Sequence, residues 1–200
     1  MKLFCRTCYE AFYEGALREQ RLESAANMQL LKNYENKERA LHIFLKRYPN
    51  NLILDFLHYD DYFEVMSVEF LSHAKQVSNG EYLSDVTIYI HHCNMNQISC
   101  VGQLQASFNF SARTAYIYEA WTGVTNKGYG SLCMAHFKKI CKNIHINTIF
   151  GELSPVDTND VTDSEHRPRL LHFYKKHGFH IKLNEAGVGN IKFSFEKGDT

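Results

Sequence analysis

Two hydrophobic periods divide the chain, and they change over near Pro49-Asn50-Asn51. Before that point the pattern is helical. The stretch from Tyr9 to Lys32 is rich in Ala, Leu, Glu, Gln and Arg, all good helix formers. Further on, Ala40, Leu41, Phe44, Leu45 and Tyr48 recur at three- and four-residue spacings and form one apolar stripe. Asn36 suits an N-cap and Pro49 a stop, so residues 1–50 read as a helical N-terminal extension built as a helix pair. Residues 52–57 and 63–70 read as strands, although the second stretch reads equally as the start of a helix running towards Gln76. Beyond Gly80 the period is two. Val86, Ile88 and Ile90 alternate with Thr87 and Tyr89, and Leu104, Ala106, Phe108 and Phe110 alternate with Gln105, Ser107 and Asn109. Residues 115–121 follow as a third strand, and the short links predict an antiparallel meander.

After the meander comes a glycine-containing turn, Gly123 to Ser131. A helix follows it, striped by Leu132, Cys133, His136, Phe137, Ile140, Cys141 and Ile144. Residues 148–153 read as a strand, a polar loop spans 155–166, and a short helix runs from Pro168 to His177 with Gly178 as its left-handed stop. Residues 179–183 and 191–195 close the chain as a hairpin.

Glycines between a strand and a helix let backbone N–H groups approach a ligand, and the helix N-terminus attracts a phosphate. A Walker A loop needs Lys after its second Gly, whereas Tyr129 follows Gly128 here. A dinucleotide fingerprint needs a third Gly where Cys133 stands. A pyrophosphate loop for coenzyme A is the third reading.

The segment Thr125-Asn126-Lys127-Gly128-Tyr129-Gly130, followed by Ser131 and Leu132, resembles the acetyl-CoA loop of the GNAT superfamily of N-acetyltransferases, Arg/Gln-x-x-Gly-x-Gly/Ala. Thr125 departs from that pattern. Leu170-Leu171-His172-Phe173-Tyr174-Lys175-Lys176-His177-Gly178-Phe179 resembles the family's late motif, a Tyr in a helix ending in Gly-Phe. The resemblance implies an α/β (α+β type) domain over residues 51–200. Its mixed, mostly antiparallel sheet would have six or seven strands flanked by helices, with strands 115–121 and 148–153 splayed to admit pantetheine. It also implies acetyl-CoA as the acyl donor. Backbone groups near Ala120 and Thr122 would meet the pantetheine, Trp121 would lie against it, and Thr125, Asn126, Lys127, Gly128, Tyr129, Gly130 and Ser131 would hold the pyrophosphate. Tyr174 takes the place of a general acid. Glu119 and Glu152, on the two splayed strands, are the candidate bases.

The chain has 200 residues, with 22 Lys and Arg against 22 Asp and Glu. That balance argues against wrapping nucleic acid or lying on an anionic membrane. The start of the chain has too short an apolar stretch for a signal peptide, and the six cysteines are scattered, so reduced thiols and a cytoplasmic location are expected. Cys5-x-x-Cys8 is half a zinc knuckle without a second pair, so no metal is expected. The expected substrate is a small-molecule or peptide amine, and Asp157, Asp160, Asp163 and Glu165 read either as an acidic rim or as a hydrated loop. Residues 1–50 find no counterpart in the family, which leaves a homodimer contact or a protein partner for them. An alternative reading keeps the fold and coenzyme A without catalysis.

Overall fold

The computed structural model describes residues 6–59, 62–70, 75–76, 82–94, 96–124, 127–153, 166–185 and 188–195. A single helix α1 (Arg6–Arg47) opens the chain. It is followed by β1 (Leu52–His58), β2 (Phe63–Phe70), a two-residue β3 (Lys75–Gln76), β4 (Tyr82–Cys93), β5 (Ile98–Asn109) and β6 (Thr114–Thr122). Helix α2 (Tyr129–Asn143), β7 (Thr148–Leu153), α3 (His166–Lys176), β8 (His180–Leu183) and β9 (Gly189–Ser194) complete it.

The strands form one sheet in the order β1-β2-β4-β5-β6-β7-β9-β8, with β3 added to β4. Only β6 and β7 run parallel, because α2 carries the chain across from one to the other. The fold is the mixed, mostly antiparallel sheet flanked by helices that the sequence predicts. Among the described residues the sheet has nine strands, beside the about six or seven expected, since β1, β2 and β3 all join it. The segment 63–70 is a strand, not the start of a helix.

The expected helix pair is also corrected. α1 runs unbroken for 42 residues, because no proline interrupts it before Pro49 and Asn36 sits inside it as an ordinary helical residue. Among the described side chains of α1, those at its C-terminal end share a core with the sheet. Ala40 and Phe44 are buried with Phe63, Val65, Cys93 and Ile98. From Arg18 to Arg39, the described side chains are exposed or half-buried. Among the described residues, no helix is long and apolar enough to cross a membrane.

Alternation sorts β2 between the sheet's two faces. Phe63 and Val65 meet α1, whereas Met66 and Val68 join the main core beneath α2 and α3 with Ile88, Leu104, Phe108, Phe137 and Ile149. Two departures from regular pairing shape the functional region. The β6–β7 ladder holds only from Thr114–Ile117 to Thr148–Gly151, while β6 continues to Thr122, so the two strands part beyond Ile117. In addition, Ala106 pairs with Ile117 and Gln105 with Glu119, which leaves Tyr118 as an extra residue in a bulge.

Candidate cofactor cleft

A cleft of about 660 Å3 opens where β6, the α2 N-terminus and α3 converge. Gly128, at φ +81°, supplies the left-handed residue that turns the chain into α2, a conformation in which side chains are strained. The first helical bond runs from the Leu132 N–H to the Gly128 carbonyl, at 3.0 Å. The amides of Tyr129, Gly130 and Ser131 therefore precede the ladder, as donors available to an anion. No acidic residue stands in that first turn and no side chain caps it. At Gly130 an added Cβ would lie 3.3 Å from the Phe173 ring, so the glycine lets α3 close over the turn.

Ala120, Thr122, Gly128, Tyr129, Gly130 and Ser131, all expected at a cofactor, line this cleft. Trp121 pairs opposite Gln103 and lies outside the lining, as does the exposed Lys127. Thr125 and Asn126 fall outside the described residues, and so do the loop carboxylates Asp157, Asp160, Asp163 and Glu165. Cys5 likewise lies outside them, and nothing is described of the Cys8 side chain. His91 and Cys93 are buried on the α1 side of the sheet, where the rings of Phe44 and Tyr48 pack on His91. Among the described residues, no group of three His, Cys, Asp or Glu side chains could hold a metal ion.

Tyr174 is 6% exposed, with its ring edge-on to Phe173 at 5.2 Å and to Phe179 at 5.4 Å. Tyr174 belongs to the core and does not line the cleft, whose α3 wall here is formed by Leu170, His172 and Phe173. Glu119 lies on the face opposite α2 and α3, where it accepts a bond from Gln103 Nε2 at 3.2 Å. Glu152 lies beside Tyr116, whose phenol is pushed up first by burial and then by that carboxylate. Glu119 and Glu152 thus sit on the two strands that part, one on each.

Two interactions fix the cradle. The Tyr129 hydroxyl donates to Oε1 of Glu64 on β2, a carboxylate only 1% exposed, and the Tyr59 hydroxyl reaches Oε2 at 3.5 Å. Burial, then the bond to Glu64, pushes the Tyr129 phenol well above its ordinary pKa, so it remains a donor. Gly102 makes room for this crossing, since its Cβ would stand 3.4 Å from that of Tyr129. On the other side, His177 Nε2 lies 3.1 Å from Ser131 Oγ. Burial, followed by the charges of Lys138 and Lys176, lowers the His177 pKa and favours the neutral ring. Sequence reading missed Glu64 and His177. In sequence Glu64 shows only as a carboxylate between Phe63 and Val65, with Glu69 a second acidic residue on the same strand.

Lys138 braces the same corner by donating to the His177 carbonyl, with its Nζ 3.5 Å above the Phe193 ring centroid. Burial lowers its pKa to about 8. Between that value and the ordinary lysine range the unfolded chain binds more protons, so this group's contribution to stability rises with pH. Urea unfolding of the wild type and Lys138→Met should show their stability difference moving in favour of the wild type from pH 8 to 10. A difference that does not change with pH would exclude the linkage.

No protein-family model matches the chain. Among curated proteins, YocC of Bacillus subtilis (strain 168), itself uncharacterised, is 35% identical over 72 residues. The match covers 36% of this chain and 40% of that protein, so it spans less than half of the relative. Several solved structures are similar. One is the PaiA N-acetyltransferase of Thermoplasma acidophilum in complex with coenzyme A, 14% identical with a TM-score of 0.40, over 59% of this chain and 64% of that one. Another is Arabidopsis thaliana Naa50 with the bisubstrate analogue CoA-Ac-MVNAL, 20% identical with a TM-score of 0.41, over 55% and 72%. Tetrahymena GCN5 is 15% identical with a TM-score of 0.40, over 56% and 69%.

Proposed function

We propose that the protein is an acetyl-CoA-dependent N-acetyltransferase in which an amine attacks the bound thioester directly. One observation carries this reading: a helix N-terminus suited to a diphosphate adjoins a strand that leaves its parallel neighbour after four paired residues. The Tyr129, Gly130 and Ser131 amides would hold the diphosphate. The β6 edge beyond Ile117 is no longer paired to β7, so its N–H and C=O groups suit the two amides of an extended pantetheine arm, as in strand addition. The cleft lining, apolar at Ala120, Leu170 and Phe173, suits the arm's methylenes.

Bound acetyl-CoA would supply an activated acyl carbon and a thiolate leaving group. The chain's own part is to position and to move protons. An N–H on the parted stretch of β6 would stabilise charge on the thioester oxygen. A phenol, with an ordinary pKa of about 10, can protonate a departing thiolate, and Tyr174 is assigned that role. An alkylammonium of pKa about 10.4 is neutral in about one molecule in 10^3 at pH 7, a deficit of about 4–5 kcal/mol. Glu119 and Glu152, flanking the gap, are the groups assigned to take its proton.

Acetyl-CoA at about 100 times its dissociation constant should add about 2.7 kcal/mol to stability, read as a rise in Tm. No response to millimolar acetyl-CoA or other acyl-CoAs would refute the reading. A second reading, a non-catalytic coenzyme A protein, is favoured by the exposed stretch of α1 between Arg18 and Arg39, which offers a surface to a partner or a second copy. Cofactor binding without acetyl transfer to a broad amine panel would decide for it.

A further inference from the structure

Besides the α2 turn, the cleft is lined by a row of basic side chains along α3. Its α2 side already offers amide donors and the positive end of a helix dipole, the usual means of holding two linked phosphates. Opposite them, α3 presents Arg169, His172 and Lys176 to the same cleft, and no carboxylate stands among the described residues that line it. These three positions follow helical spacing on one side of α3 and extend over about 10 Å. Two phosphates bridged by a single oxygen are too compact to use a stripe of that length as well as the α2 turn. The stripe is exposed, whereas Tyr174 on the same helix is buried, so α3 separates a packing side from a charged one.

We propose that Arg169, His172 and Lys176 form a separate phosphomonoester subsite that reads the 3′-phosphate on the ribose of coenzyme A. This rests on the acetyl-CoA reading and adds to it a basis for selecting the phosphorylated nucleotide over its dephosphorylated form. An Arg fork with a neighbouring Lys suits a terminal phosphate, which has three oxygens to bond and more charge than a bridging one. Because the stripe is exposed, added salt should weaken the discrimination.

Calorimetric titration of the full chain with coenzyme A and with 3′-dephospho-coenzyme A tests the subsite. The wild type should prefer coenzyme A by about tenfold or more. In Arg169→Gln/Lys176→Gln the preference should fall to about twofold, while affinity for 3′-dephospho-coenzyme A stays within about threefold of wild type. Adenosine 3′,5′-bisphosphate should compete with coenzyme A on the wild type and lose that ability on the variant. Equal binding of the two nucleotides by the wild type overturns the subsite and leaves the acetyl-CoA reading standing. Equal weakening of both by the double substitution also overturns it, assigning the stripe to the diphosphate. Binding of neither nucleotide overturns the acetyl-CoA reading itself, and the subsite with it.

Discussion

Replacing Tyr129 by Phe is expected to lower unfolding stability by about 1–3 kcal/mol, the range for leaving a buried acceptor without its donor. The hydroxyl removed is the donor to Glu64 Oε1, and Glu64 is buried on a strand whose other described side chains up to Val68 are also buried. Among the described residues, what remains is the Tyr59 hydroxyl at 3.5 Å from the second oxygen, a poor replacement at the edge of hydrogen-bond range. The same change should weaken acetyl-CoA binding, because Tyr129 is both the anchor of the α2 N-terminus and the first amide of the cradle. Glu64→Gln keeps an acceptor for the phenol and should cost less. Urea unfolding measures the first effect and calorimetry the second. A Tyr129→Phe variant within about 0.5 kcal/mol of wild type would show that Glu64 has adequate partners elsewhere.

Tyr174→Phe is expected to slow acetyl transfer about 100-fold, within the range of a lost general acid, while acetyl-CoA affinity stays within about twofold. Separating the two measurements is essential, because the Tyr174 ring is also core, held between Phe173 and Phe179. Phe preserves that packing and removes only the hydroxyl. A purely packing role therefore predicts turnover near wild type, and that result would remove Tyr174 from the chemistry.

The parts of the fold that sequence made legible are those with local signals. The helix after Gly128 follows from its apolar stripe and the helix before Gly178 from that glycine stop, and the structure has both there. Residues 63–70 were ambiguous because β2 is buried on both faces, so Phe63 to Val68 gives no alternation to read. The helix pair was misjudged because an asparagine that suits a cap is also tolerated inside a helix, and no glycine or proline forced a break there. Glu64 was out of reach of any local pattern. Its partner Tyr129 lies 65 residues away, and only the sheet order brings β2 under the start of α2. The α3 stripe was half legible. Sequence shows the three residues on one helix, but the alignment of Lys176 with Arg169 and His172 along a single cleft wall needed the packing of α3 against the Gly130 turn.

The additional residue at Tyr118 has a wider consequence than a local kink. It acts as a parity switch for the rest of β6. With Ile117 facing inward, a regular strand would send Glu119 and Trp121 inward too, and would leave Ala120 and Thr122 outside. Ironing out the irregularity would thus exchange two sets of side chains at one stroke, bringing a carboxylate into the chamber proposed for phosphates. Changes near Tyr118 should accordingly behave as all-or-none lesions, unlike the graded losses expected from trimming side chains around the chamber.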